Sequence, residues 1–168
     1  MASAPRVYEI RSVFRAPLSF VFAWCTDYSA EDARLENESY LRRIVERSQR
    51  RVVYEDLEDT PQGWSWSRHS VTLRPPNRWR SDSVGNYRTW RLDYTLRPLT
   101  GGRTELTLRG VRRATGLASK NPPKAKLERS MRTSWAHFGR ALEADYRKSL
   151  QSGRAFRGPR RPRRVHKP

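Results

Sequence analysis

The segment RLDYTLRPLTGGRTELTLRG, Arg91 to Gly110, constrains the fold more than any other part of the chain. Leu92, Tyr94 and Leu96 alternate with Arg91, Asp93, Thr95 and Arg97, and after Thr100-Gly101-Gly102 the alternation resumes with Leu106 and Leu108. A period of two is the signature of a strand with one apolar face. A three-residue loop with glycine in the left-handed position pairs Leu99 with Arg103. That register sets Leu96 against Leu106 and Tyr94 against Leu108 on the apolar face. On the other face it sets Arg97 against Glu105, Asp93 against Arg109 and Thr95 against Thr107. Each such pair contributes ~0.2–1 kcal/mol, and a slip of one residue would bury the charges. The chain therefore carries an antiparallel hairpin whose apolar face must be covered.

The rest of the chain supplies more strands and a cover. Val7–Arg15 reads as a strand with Tyr8, Ile10 and Phe14 on one face. Ala16-Pro17 breaks it, and Pro17 suits the first position of a helix that carries Leu18, Val21, Phe22 and Cys25. A second short helix is expected from Ser29 to about Asn37, capped by Ser29. Tyr40–Ser48, which also fits a helical spacing, then Arg50–Glu58, Trp64–Arg74, Arg78–Val84, Asn86–Arg97 and Arg103–Ala114 are strand candidates. Asn121 is the expected N-cap of a last helix with Pro122 in its first turn. Leu127, Met131, Trp135, Phe138, Leu142 and Tyr146 recur at steps of three and four. That is one amphipathic helix of roughly 27 residues, ended by Gly153. The expected fold class is α+β: a seven-stranded antiparallel sheet, two short helices after the first strand, and a long C-terminal helix covering the apolar face.

Composition bounds the setting. A chain of 168 residues suits one domain, and six Trp, seven Tyr and five Phe give it a core despite a mean hydropathy of -0.93. The single cysteine, Cys25, forms no internal disulfide, and no Cys/His cluster suits zinc. The opening MASAPRVYEI has no apolar run for a signal peptide. A cytoplasmic protein without cofactor or metal is expected. Net charge is +18, but residues 1–59 carry 9 basic and 11 acidic side chains, leaving the excess to residues 60–168. Such a surface attracts anions, whether nucleic acid, acidic lipid or acidic protein. Residues 153–168 form an expected disordered tail, rich in arginine and proline and free of acid.

Three segments carry a resemblance. YEIRSVFRAPLSFVFAWCTDY resembles the opening of the START-like (SRPBCC) superfamily, which includes birch-pollen-allergen-like proteins and the polyketide cyclase/dehydrase and lipid transport family. YTLRPLTGGRTELTLRG resembles its penultimate hairpin, and HFGRALEADYRKSL the end of its terminal helix. The resemblance spans about residues 6–151 and makes residues 1–152 a START-like domain. It implies a helix-grip fold, a curved sheet wrapped round the terminal helix with a cavity between them. Members bind hydrophobic ligands there, and some cyclise or dehydrate polyketides.

Candidate ligand-binding residues follow from the faces expected to point inward: Tyr8, Ile10, Trp66, Trp90, Leu92, Tyr94, Leu108, Met131, Trp135 and Phe138. Each would equally serve as ordinary core. Arg68 shares parity with Trp64 and Trp66; pointing inward it would need an anion such as a ligand carboxylate. Val71 and Leu73 take the opposite parity, which favours Arg68 in water beside a bulge. His69 and His137 are candidate acid/base groups without partners in the sequence, so no catalytic residue is assigned. The acidic run Glu55–Asp59 reads as a solvated strand end. The tail residues Arg154, Arg157, Arg160, Arg161, Arg163, Arg164 and Lys167, with the outer arginines Arg91, Arg97 and Arg109, suit phosphate contacts without sequence readout. Two functions are thus expected: binding of a small hydrophobic ligand as carrier, sensor or cyclase/dehydrase, or association with RNA or the ribosome through the basic surface.

Overall fold

The computed structural model describes residues 4–29, 32, 35, 40–61, 63–116 and 120–153. Its elements are β1 (Arg6–Phe14), α1 (Leu18–Cys25), β2 (Tyr40–Arg47), β3 (Arg51–Thr60), β4 (Gly63–Arg74), β5 (Arg78–Gly85), β6 (Arg88–Leu99), β7 (Arg103–Ala114) and α2 (Lys124–Ser152). The strands form one antiparallel sheet in the order β1-β7-β6-β5-β4-β3-β2. Strands β2 to β7 are a continuous meander, and β1 closes the sheet by pairing with β7. The hairpin register is the expected one, with Leu99 opposite Arg103, Leu96 opposite Leu106 and Arg97 opposite Glu105. The Arg97–Glu105 ion pair forms at 3.0 Å. Asp93 lies opposite Arg109, but its carboxylate takes Arg80 on the other neighbouring strand, at 2.6 Å.

Helix α2 grips the sheet by one edge. Its backbone approaches β1 and α1 closely and stands off the middle strands. Gly139 permits the approach: a Cβ there would lie 3.1 Å from the Phe14 ring. Trp135 and Leu142 enter a core with Ile10, Phe14, Leu96, Leu106 and Leu108. Two α2 carboxylates also accept backbone N–H groups at the sheet edge. Glu128 takes the amide of Glu9 at 3.1 Å and Glu143 that of Arg15 at 2.8 Å, so donors that an edge strand leaves open are satisfied. With the helix held at one side, space remains between it and the middle strands.

Two helix starts differ from expectation by one position or more. Pro17 is the N-cap of α1, its carbonyl accepting the Val21 amide at 3.0 Å. Pro123, not Asn121, caps α2. Asn121 is drawn away by tertiary partners, accepting from Arg112 Nη1 at 2.7 Å and donating to the Ala4 carbonyl at 2.8 Å. Gly153 ends α2 in the left-handed region, φ +60°. Of the second short helix expected over 29–37, only Ser29, Asp32 and Leu35 are among the described residues. The tail beyond Gly153 lies outside them. No helix of the described residues is long and apolar enough to cross a membrane.

Candidate functional site: a cavity between the sheet and the C-terminal helix

The space left by α2 is a cavity of about 630 Å³. Its apolar wall comes from β5, β6 and α2. Trp79 and Tyr94 stack at 4.6 Å between ring centroids, Tyr94 and Trp135 meet at 6.0 Å, and Trp135 meets Phe138 edge-on at 5.4 Å. Trp90, Leu92 and Met131 extend this wall. Ser81 and Ser83 of β5 form a small, polar floor between larger residues, and both are buried. Small side chains on the inner face of a sheet leave the volume that large ones would fill.

The other end of the cavity is polar, and one cation organises it. Arg42 of β2 lies opposite Asp56 of β3 in the strand register. Its Nε and Nη2 donate to the two oxygens of Asp56, both at 2.8 Å, and its Nη1 donates to Asp32. The guanidinium covers the Tyr54 ring at 4.1 Å and the Tyr40 ring at 5.1 Å. Burial alone would lower the Arg42 pKa, but the hydrogen bonds and charge of Asp56 override it and raise it. A planar fork with five donors suits such a bidentate contact. The His69 imidazole stacks on Tyr54 at 4.5 Å, and Tyr54 stacks on Tyr28 at 5.3 Å.

Burial sets the protonation states here. It pushes the His69 pKa down to about 4; the charge of Asp56 opposes this, and those of Arg42 and Arg88 add to it. His69 is therefore a neutral imidazole at neutral pH. Burial and the neighbouring Asp32 push the Asp27 carboxyl up to about 6. Asp32 is raised in the same sense by burial. The Cys25 thiol is raised by burial, with the charge of Asp27 adding to it, so it stays protonated and unreactive. Ser67 Oγ lies 3.0 Å from His69 Nε2, and Asp56 lies 3.9 Å from the same nitrogen. A relay needs the acid and the hydroxyl on opposite ring nitrogens, so Ser67, His69 and Asp56 do not form one. Among the described residues no three metal-ligating side chains converge. Further along the wall, Trp24 Nε1 donates to Asp145 at 3.1 Å and fixes α1 to α2.

No protein-family model matches the chain, and no curated protein matches it in sequence. Solved structures do. The Zhui aromatase/cyclase of a Streptomyces species superposes with a TM-score of 0.67 at 16% identity, over 90% of this chain and 100% of that one. A START superfamily protein from Mycobacterium smegmatis gives 0.61 at 11% identity, over 84% and 97%. The protein Ara h 8.0201 gives 0.62 at 14%, over 86% and 99%. The chain has the helix-grip fold of START-like proteins.

Within this START-like fold the expected ligand-binding residues divide three ways. Trp90, Leu92, Tyr94, Met131, Trp135 and Phe138 all line the cavity. Tyr8, Ile10 and Leu108 point inward but are sealed in the core, at 1%, 2% and 0% exposure. They sit where α2 lies close to the sheet, and no space is left above them. Trp66 and Arg68 face outward. Trp66 is 41% exposed, and Arg68 pairs with Glu55 at 2.9 Å on the outer surface. No bulge interrupts β4 in its pairing with β3 or β5. The parity of Val71 holds along the whole strand and turns Ser65, Ser67 and His69 inward. The acidic run is likewise split: Glu55 lies on the outer face in ion pairs with Arg43 and Arg68, while Asp56 and Glu58 face the cavity.

Sequence reasoning missed the polar end. Arg42 and Asp56 are 14 positions apart and meet only through the β2–β3 register. The tail arginines, Arg154 to Arg164, and Lys167 lie outside the described residues.

Proposed function

We propose that residues 1–152 form a START-like binding domain, cytoplasmic, whose cavity takes a small hydrophobic or aromatic molecule. The protein carries or senses that molecule, or acts on it as a polyketide cyclase/dehydrase would. One observation carries this reading: an open volume of about 630 Å³ with stacked aromatic walls and polar groups gathered at its end. A core built only for stability would be filled at native density. Pockets of a few hundred Å³ with apolar walls and few polar groups are the usual form of small-molecule sites. The likeness to an aromatase/cyclase and a START superfamily protein is consistent with it.

A fluorescent neutral probe, N-phenyl-1-naphthylamine, tests the reading when titrated into the wild type and Ser81→Leu. Ser81 is 3% exposed and sits on the cavity floor. The leucine fills part of the volume, so the probe should bind at least ~10-fold more weakly, the order of one or two buried methylenes. Equal binding to both proteins would place the probe elsewhere and count against the cavity.

A catalytic version of the reading draws on Asp27. A carboxyl near pKa 6 and a neutral imidazole, both lining one cavity, are candidate acid and base. Association with RNA or the ribosome gains less support. Arg91 and Arg97 on the outer face are tied to Asp82 and Glu105, at 2.8 Å and 3.0 Å, which reduces the free positive field there.

A further inference from the structure

Across the sheet from Arg42, at the same end of the strands, stand two arginines with a different environment. Arg88 opens β6 and lines the cavity; Arg112, on β7, faces inward beside it at 8% exposure. Both guanidinium groups lie over the Trp90 ring, at 5.4 Å and 5.6 Å. Arg112 donates to the neutral amide of Asn121. Among the described residues neither arginine has a carboxylate partner, whereas Arg42 has two. Glu58 shares the cavity wall, but it stands on β3, three strands from β6. Next to the pair, the Tyr8 ring stands edge-on to Trp90 at 5.8 Å, and its buried hydroxyl has no hydrogen-bond partner among the described residues.

Such an arrangement is costly as it stands. Buried charges are ordinarily paired, and two cations round one indole repel each other. The ring faces offset part of that cost by cation–π attraction, ~0.5–2 kcal/mol each. Burial and the charge of Arg88 both lower the Arg112 pKa, the direction expected of a cation lacking its counter-ion. An anion seated against Arg88 on the cavity side would offset the repulsion between the two cations.

We propose that Arg88, backed by Arg112, receives the carboxylate of an amphipathic organic acid whose apolar body lies along Trp90, Leu92 and Tyr94. This rests on the reading that the cavity holds a hydrophobic ligand, and it adds the ligand's charge and orientation. The acid head enters at the start of β6. The apolar body points toward Trp79 and Trp135.

Two probes with one body separate the two claims: 1-pyrenebutanoic acid and 1-pyrenebutanol, each titrated by fluorescence. The wild type should bind the acid more tightly than the alcohol. Arg88→Gln should weaken the acid ~10-fold or more, the usual loss for a charge-assisted hydrogen bond, and move the alcohol by less than ~2-fold. Arg88→Lys should keep part of the preference for the acid. Arg97→Gln, on the outer face, should leave both probes unchanged and excludes binding to the general positive surface. If the alcohol binds but Arg88→Gln leaves the acid-to-alcohol ratio unaltered, the carboxylate site is wrong and the cavity reading stands. If neither probe binds the wild type, both fall.

Discussion

Replacing Asp27 by Asn and His69 by Gln should tilt the pH dependence of stability in opposite directions. The folded protein raises the Asp27 pKa from 3.8 to about 6 and lowers that of His69 from 6.5 to about 4. Between about pH 4 and pH 6 the folded state thus holds a proton on Asp27 and none on His69. The unfolded chain does the reverse, with a charged carboxylate and a charged imidazole. Each state binds one proton across the pair, so the pair contributes almost no slope in the wild type. In Asp27→Asn only the histidine remains, the unfolded state binds more protons, and stability rises with pH by up to ~1.4 kcal/mol per unit. In His69→Gln only the carboxyl remains, the folded state binds more protons, and stability falls with rising pH at a similar rate. Over the shared window each amounts to about 2–3 kcal/mol, trimmed by solvent, since the His69 side chain is 20% exposed. Asp32 and the other carboxylates are common to all three proteins and cancel in the comparison. Urea unfolding followed by tryptophan fluorescence at steps between about pH 4.5 and pH 6 reads the slopes. Three parallel curves would show that neither group is shifted and would refute the burial argument for the polar end.

Two further substitutions probe the framework. Arg42→Met strips Asp56 and Asp32 of a partner that is itself 5% exposed, so urea unfolding near neutral pH should show a loss of about 3–5 kcal/mol. A loss under ~1 kcal/mol would mean the cluster is solvated. Gly110→Ala drives a Cβ into the Tyr8 ring at Cζ, and the ring must move. Thermal unfolding should show overpacking of ~1–3 kcal/mol, largely relieved when Tyr8→Leu is added.

How much of this was legible depends on what each strand faces. The hairpin segment from Arg91 to Gly110 could be read residue by residue because its inner face is apolar and its outer face carries the charges, so pattern and burial agree. Helix α2 was legible from one stripe, Leu127 to Tyr146, for the same reason. Strand β4 reverses the pattern. Its inner residues Ser65, Ser67 and His69 border a cavity, while Trp64 and Trp66 stand 58% and 41% exposed outside. Hydrophobicity then points the wrong way, and only Val71, fully buried, and Leu73 beside the core marked the true face. The cluster of Arg42, Asp56 and His69 joins three strands, and nothing local announces it. The cation pair Arg88 and Arg112 was hidden by abundance, since the chain has 35 basic residues and most of those described face water.

A cavity built for a ligand should be occupied in the cell. Native mass spectrometry on the protein purified from its own host, before and after denaturing extraction, tests it most directly. The native protein should carry a bound organic molecule of a few hundred daltons, a size set by a volume of about 630 Å³, with an acidic group and released on denaturation. A protein that arrives with its bare chain mass, and that takes up neither pyrene probe afterwards, would contradict it.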